Sequence, residues 1–288
     1  MSNDLKTVKV LDSRLDVTPE LKYAVLKGGQ NVTSAKYPAI GRSTSQITFN
    51  IQVPSEQTII DRRLLMRNKW RYQVTGVPAV GQYLVNFASA DALGPFPCNQ
   101  CFTTVQSTIN NNTVNCNVQD VINLLLRSND IRELQAFNGM APNAFDTYQK
   151  YSDALQTNNN PNGDYAQTAD NDLQPRGAFG DVTITGNSVG DGAATKTVVI
   201  EFTTIEPVMV SPWIWADPKS NAQGIYGVTN LNFVFNVDST GKRLFRSARS
   251  ANFATSQLID VVESELWFHF ITPHPSDLMS ARNCVPFF

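Results

Sequence analysis

Four cysteines, two histidines and a cluster of basic residues are the side chains with which this 288-residue sequence could do chemistry. Cys98-Asn-Gln-Cys101 has the spacing of half a tetrahedral zinc site, and Cys116 could add a third thiolate. No second Cys-x-x-Cys and no His-x-x-x-His follows, and His269 and His274 lie far along the chain on either side of Pro273. The pattern therefore reads as small thiols packed in a loop beside a strand, and no metal is expected. A redox pair would stand between a strand and a helix of a thioredoxin-like unit, which the flanking sequence does not provide.

Hydrolysis by a Ser-His-Asp or Cys-His constellation needs an imidazole beside the nucleophile. His269 falls opposite the Leu266, Phe268, Phe270 pattern of a strand and His274 falls in a Thr-Pro-His-Pro-Ser turn, so both read as structural. Glu263 and Glu265 share a strand face and are the nearest local pair of carboxylates, as glycoside hydrolysis would require. A solvated or interface face is the preferred reading of that pair. There is no Walker loop, no Gly-x-Gly-x-x-Gly and no His-Glu-x-x-His. The expectation is a protein with no catalytic residue, no cofactor and no small-molecule substrate.

The most charged stretch runs from Asp61 to Tyr72. As a strand it puts Arg63, Arg67, Lys69 and Arg71 on one face with Leu65, and Leu64, Met66, Trp70 and Tyr72 on the other. The apolar face belongs in a core. The basic face has three possible destinations: phosphate, an acidic patch on a neighbouring subunit, or water. Guanidinium groups are favoured in interface ion pairs, so the expectation is a face buried against a neighbouring subunit or turned to the interior of an assembly.

The elements that must position these residues are mostly strands. From Gln46 to Val53, Ile47, Phe49, Ile51 and Val53 alternate with Gln46, Thr48, Asn50 and Gln52 until Pro54 stops the run. Thr229 to Val237 repeats the pattern, with Leu231, Phe233, Phe235 and Val237 opposed by asparagines, and ends in the turn Asp238-Ser-Thr-Gly241. Further strands are expected at Val8–Leu11, Tyr23–Leu26, Ile59–Val74, Phe102–Ile109, Thr195–Ile205 and Val261–Thr272. The spacing of Val118, Val121, Ile122, Leu125, Ile131 and Leu134 predicts a helix over 118–137 with Asn117 as its N-cap, and a shorter one is expected at Phe145–Leu155. Residues 156–180 and 186–194 read as exposed loops. An insertion at about 76–195 thus separates two groups of strands in an antiparallel all-β sandwich.

Composition narrows the function classes. Charged residues are 17% and apolar residues 42%, which leaves roughly 30% as Ser, Thr, Asn and Gln. A net charge of −2, from 23 bases and 25 acids, argues against a dedicated nucleic-acid binder and leaves room only for a local basic patch. No apolar run approaches the roughly 18 residues of a membrane span, and the start MSNDLKTVKV has no secretory pattern. The cysteines then read as free thiols in a reducing compartment.

Three islands resemble a known family. They are Leu21-Lys-Tyr-Ala-Val-Leu-Lys-Gly-Gly-Gln-Asn-Val-Thr33, Pro54-Ser-Glu-Gln-Thr-Ile-Ile-Asp-Arg62 and Phe270-Ile-Thr-Pro-His-Pro-Ser-Asp277, and Thr108-Ile-Asn-Asn-Asn-Thr-Val114 adds to them. They are similar to the N-terminal half of the double jelly-roll major capsid proteins of virophages and polinton-like viruses. The resemblance implies an eight-stranded jelly-roll β-sandwich over 1–275 that carries the insertion, with 276–288 beginning a connection to a second roll. It also implies a structural protein of an icosahedral virion, made in the host cytoplasm or a viral factory. In that family three chains form a pseudo-hexagonal capsomer, so the partners expected are copies of itself, other capsid proteins such as a penton, and at most indirect genome contact. A single jelly-roll penton protein is the alternative that best suits the length. A jelly-roll lectin is another, with Trp213 and Trp215 stacking on sugar rings.

Overall fold

A computed structural model describes residues 31–86, 91–93, 96–128, 180–213, 224–241, 243–247 and 253–272. In chain order the first strands are β1 (Asn31–Pro38), β2 (Gly41–Arg42), β3 (Gln46–Gln52), β4 (Ile59–Ile60), β5 (Leu65–Gly76) and β6 (Asp91–Leu93). Then come α1 (Pro97–Cys101), β7 (Phe102–Ile109), β8 (Asn112–Cys116) and α2 (Val118–Ser128). The last are β9 (Gly180–Thr185), β10 (Lys196–Pro207), β11 (Asn230–Val237), β12 (Phe245–Ser247) and β13 (Phe253–Thr272).

These strands form two antiparallel sheets and one short ribbon. The first sheet has the order β1-β13-β5-β10-β9, with β4 also on β13; the second has the order β2-β3-β11-β7-β8; β12 pairs with β6. Apart from the β7–β8 hairpin, the long strands alternate between sheets along the chain: β1, β5, β10 and β13 lie in the first, and β3, β7, β8 and β11 in the second. The chain thus passes back and forth between the two sheets as in a jelly roll. Among the described residues β9 is an additional strand outside β10.

Three expectations change. The segment 76–195 is not a single excursion from the sandwich, because β7 and β8 within it are strands of the second sheet. The expected strand Ile59–Val74 is broken into β4 and β5, since the Asp61 carboxylate accepts the Arg63 backbone N–H at 3.0 Å and turns the chain between them. The expected strand Val261–Thr272 begins eight residues earlier, at Phe253; register shifts between Phe253 and Glu263 break the period of two that marks its later half.

The helix at 118 is described as α2 to Ser128, with Val118 and Ile122 buried, and Asn117 closes its first turn by accepting the Asp120 N–H on its backbone carbonyl. Residues 129–137 of that expected helix lie outside the described residues. So do Val8–Leu11, Tyr23–Leu26, Phe145–Leu155, 156–179 and 276–288.

Aromatic side chains fill the space between the sheets. Phe268 of β13 lies 6.5 Å from Phe233 of β11, and Trp213 touches both, with ring centroids at 6.2 and 5.8 Å. Trp70 of β5 meets Phe102 of β7, which packs on Phe235 at 4.9 Å. Each such side chain contributes about 1.5–3 kcal/mol by leaving water, so this aromatic seam helps to bind the two sheets together.

Candidate assembly surfaces

β5 alternates as its sequence requires. Met66, Trp70 and Tyr72 are buried, while Leu65, Arg67, Lys69 and Arg71 face outward from the first sheet. Arg63 precedes the strand and is exposed, 3.7 Å from Asp61. Register across the sheet then supplies carboxylates. Glu201 and Asp260 flank Arg71, Glu263 stands opposite Lys69, and Glu265 opposite Arg67. Arg71 reaches Glu201 at 2.7 Å and Asp260 at 3.5 Å, Lys69 reaches the other oxygen of Glu201 at 2.8 Å, and Arg67 reaches Glu263 at 2.7 Å. Hydrogen bonds from Lys69 and Arg71 hold the Glu201 carboxyl below the usual carboxylate range, and Arg67 does the same for Glu263. Each basic residue of the strand is therefore paired within its own sheet, and the strip is nearly neutral.

Glu263 and Glu265 do share the outward face, but they are engaged separately: Glu263 with Arg67, and Glu265 as the acceptor of the Trp267 indole N–H at 3.0 Å. Trp267 is a residue that sequence reasoning missed. Its ring lies on the outward face, paired in register with Leu65, with the Lys36 ammonium 4.4 Å from its centroid. The signal was an aromatic at the polar step of the Leu266, Phe268, Phe270 alternation. His269 faces the same way, its Nδ1 3.0 Å from the Ser34 hydroxyl. His274 lies outside the described residues.

The outward face of the second sheet has a different chemistry. On β3 it presents Gln46, Thr48, Asn50 and Gln52, and on β11 Asn230, Asn232, Val234 and Asn236. β7 adds Thr104, Gln106 and Thr108, and β8 adds Thr113 and Asn115. None of these is charged. The amides and hydroxyls bond across strands: Gln46 donates to Asn236 at 3.3 Å, Asn236 donates to Thr104 at 2.6 Å, and Thr108 lies 2.9 Å from Thr113.

A buried polar cluster lies between the sheets. Glu206 of β10 accepts hydrogen bonds from the backbone N–H groups of Cys98 and Asn99 at 2.8 and 2.9 Å and from the Asn99 side chain at 2.9 Å. It thereby ties α1, and the strand β7 that follows it, to the opposite sheet. Burial without a neighbouring cation pushes its carboxyl up to about 7, although the three hydrogen bonds oppose the shift. Asn68 donates to the Cys98 sulfur at 2.9 Å and accepts from Ser264 at 2.5 Å. Neither Glu206 nor Asn68 carries a sequence signal, because each occupies an inward step where alternation predicts an apolar residue.

Cys98 and Cys101 are free and buried on α1, directly before β7, and Cys116 is free and partly buried. Burial raises the thiols of Cys98 and Cys101, and the Glu206 carboxylate adds to the rise. No group of three or more metal-ligating side chains occurs among the described residues. No described helix is long and apolar enough to cross a membrane. Trp213 is fully buried and donates its indole N–H to the Ser107 hydroxyl at 3.0 Å, so it is not available to stack on a sugar; Trp215 lies outside the described residues.

Comparison with known proteins adds an independent observation. Residues 3–271 match the family described as Sputnik virophage major capsid protein 1st domain. The chain is 27% identical over 300 residues to the putative capsid protein V20 of Sputnik virophage, a match covering 100% of this chain and 49% of that protein. Among solved structures, a chain of the 3.5 Å cryo-EM structure of the Sputnik virophage superposes with a TM-score of 0.70 and 23% identity over 95% of this chain and 54% of its own length. The crystal structure of the mavirus major capsid protein superposes with a TM-score of 0.62 and 13% identity, covering 95% and 54%. The chain spans about half the length of these relatives.

Proposed function

Since the chain belongs to the Sputnik virophage major capsid protein first-domain family, we propose that it builds an icosahedral shell as one jelly roll of a double jelly-roll subunit, three subunits forming a pseudo-hexagonal capsomer. On this reading residues 1–275 are the first roll and 276–288 begin the connection to the second. The observation that carries it is the coverage: one whole sandwich corresponds to about half of relatives that are named capsid proteins. The protein's place is the virion, after synthesis in the host cytoplasm or a viral factory. Its role is structural and not catalytic.

The two sheet faces support self-association. Among the described residues one is neutral by internal ion pairing and the other carries no charge, so neither repels a copy of itself electrostatically. The strip of Arg63, Arg67, Lys69 and Arg71 belongs on this reading to a subunit contact, with acids on hand beside it: Asp61 in the preceding turn and Glu201, Asp260 and Glu263 in the same sheet.

Native mass spectrometry of the 288-residue chain, and of the chain joined to a second roll, tests the proposal. Trimers of the two-roll protein, seen as pseudo-hexagonal particles by electron microscopy, are expected. A two-roll protein that remains monomeric at all concentrations would sink it. Pentamers of the single roll would favour the vertex-protein alternative.

A further inference from the structure

A single fully buried carboxyl, that of Glu206, holds a short element that belongs to neither sheet. One of its oxygens accepts the Cys98 backbone N–H, and the other accepts both the Asn99 backbone N–H and the Asn99 side-chain amide, whose nitrogen also donates to the Pro207 carbonyl at 3.0 Å. All five residues of α1 are buried, and the chain enters it through Phe96 at φ 50°, a left-handed conformation in which a bulky side chain is strained. Phe96 has no side-chain cap to offer, so Glu206 takes up the donors of this first turn from the facing strand.

Nothing around the carboxyl compensates a negative charge. α1 brings the Cys98 and Cys101 thiols near it, and Asp238 lies beyond Cys101. β5 supplies Met66 in register and Asn68 on the far side of the Cys98 sulfur, and β13 supplies Ser264 against Asn68. The titratable members of this set are two thiols and an acid; none is a cation. Ionised in place, Glu206 is a buried charge that three hydrogen bonds stabilise only in part, whereas water would solvate it fully. We propose that Glu206 is a proton-operated latch: protonated, it keeps α1 seated on β10, and ionised, it favours a locally opened state in which Cys98-Asn-Gln-Cys101 leaves β10 and meets water. Opening relieves the strain at Phe96 and leaves the β5–β10 and β7–β11 ladders intact. The device belongs to the single roll and is independent of how rolls associate.

The opened carboxyl has its ordinary value near 4.5 and the seated one about 7, so the opened population grows about tenfold per pH unit between these values and levels off above them. Native-state hydrogen exchange of the 288-residue chain, corrected for the intrinsic pH dependence of amide exchange, tests this. The Cys98 and Asn99 backbone amides should exchange through an opening more frequent than that of the sheet amides of Trp70 and Phe233 and insensitive to low denaturant. From pH 4.5 to pH 7 that opening should become a few hundredfold more frequent, on the order of the shift in the carboxyl. Glu206→Gln keeps an acceptor oxygen and has no proton to lose, so its opening should be flat over the same range. If the Cys98 and Asn99 amides exchange no faster than those of Trp70 and Phe233, α1 leaves only when the whole roll unfolds and the latch is wrong. It is also wrong if the opening in the unmodified chain does not change between pH 4.5 and pH 7, or if folded Glu206→Gln follows the same profile. Should Glu206→Gln not fold, the profile of the unmodified chain decides alone.

Discussion

Arg67 and Glu263, 196 residues apart in the chain, meet on the outward face of the first sheet with 2.7 Å between guanidinium nitrogen and carboxylate oxygen. The contact exists because β13, the last described strand, returns to lie between β1 and β5. The same return places Asp260 beside Arg71, while β10 brings Glu201 to the opposite flank of β5. A strip that reads as strongly basic along the chain is thus close to neutral in the sheet.

Glu201 is the carboxylate most heavily used, since it serves both Lys69 and Arg71. Glu201→Gln is expected to cost about 1 kcal/mol, because the pairs are partly exposed and screened. The folded carboxyl is depressed below its unfolded value near 4.5. Its contribution is therefore present above pH 4.5 and lost as pH falls through the lower folded value. Denaturant unfolding of both proteins at pH 7 and at acid pH measures this, and the gap between them should narrow as the pH falls below 4.5.

Glu206 has the opposite sign. Its folded carboxyl lies at about 7, above the unfolded 4.5, so its contribution is fully present below pH 4.5 and is lost as pH rises through 7. Relative to Glu206→Gln, the unmodified protein should lose on the order of 3 kcal/mol of stability between pH 4.5 and pH 8. Parallel pH profiles for the two proteins would contradict this account. Glu206→Ala should be poorly folded at every pH, because it leaves the Cys98 and Asn99 donors buried and unpaired.

Trp213 joins the two sheets through Phe233, Phe268 and the Ser107 hydroxyl. Trp213→Ala should cost about 3–5 kcal/mol by opening a cavity in the aromatic seam. Trp213→Phe keeps part of the ring volume and loses the hydrogen bond, so a smaller loss is expected. The intrinsic fluorescence lost on Trp213→Phe should be a fraction shielded from a water-soluble quencher in the folded chain.

Gly186 sits at φ 79°, and a Cβ there would lie 2.4 Å from the Thr197 carbonyl oxygen on β10. Gly186→Ala therefore combines a left-handed backbone with a backbone collision and should lower stability by about 2 kcal/mol or more. Gly81→Ala, also at positive φ but with nothing within 4 Å of its Cβ, should cost only about 1 kcal/mol. Melting temperatures of the two variants separate strain from collision.

Much of this architecture was legible along the chain. The alternation in Gln46–Val53 and Thr229–Val237 marks two central strands of the second sheet and their inward sides, because a period of two is a local property of extended backbone. The same logic sorted β5 into an apolar and a basic side. It failed in β13 before Glu263, where bulges shift the phase, and at Asn68 and Glu206, where polar side chains occupy inward steps. A polar residue is acceptable in a core only when donors and acceptors from distant segments surround it, and no local window of sequence contains those segments.

Composition and periodicity were enough to establish an antiparallel sandwich with a largely uncharged polar surface, since both follow from residue type and near neighbours. Which charges cancel was settled by strand order. Arg67, Lys69 and Arg71 are neutralised by residues 130 or more positions away, because the jelly-roll wrapping places β10 and β13 on either side of β5. The concentration of charge on one sheet face and amides on the other arises in the same way, as a property of which strands become neighbours.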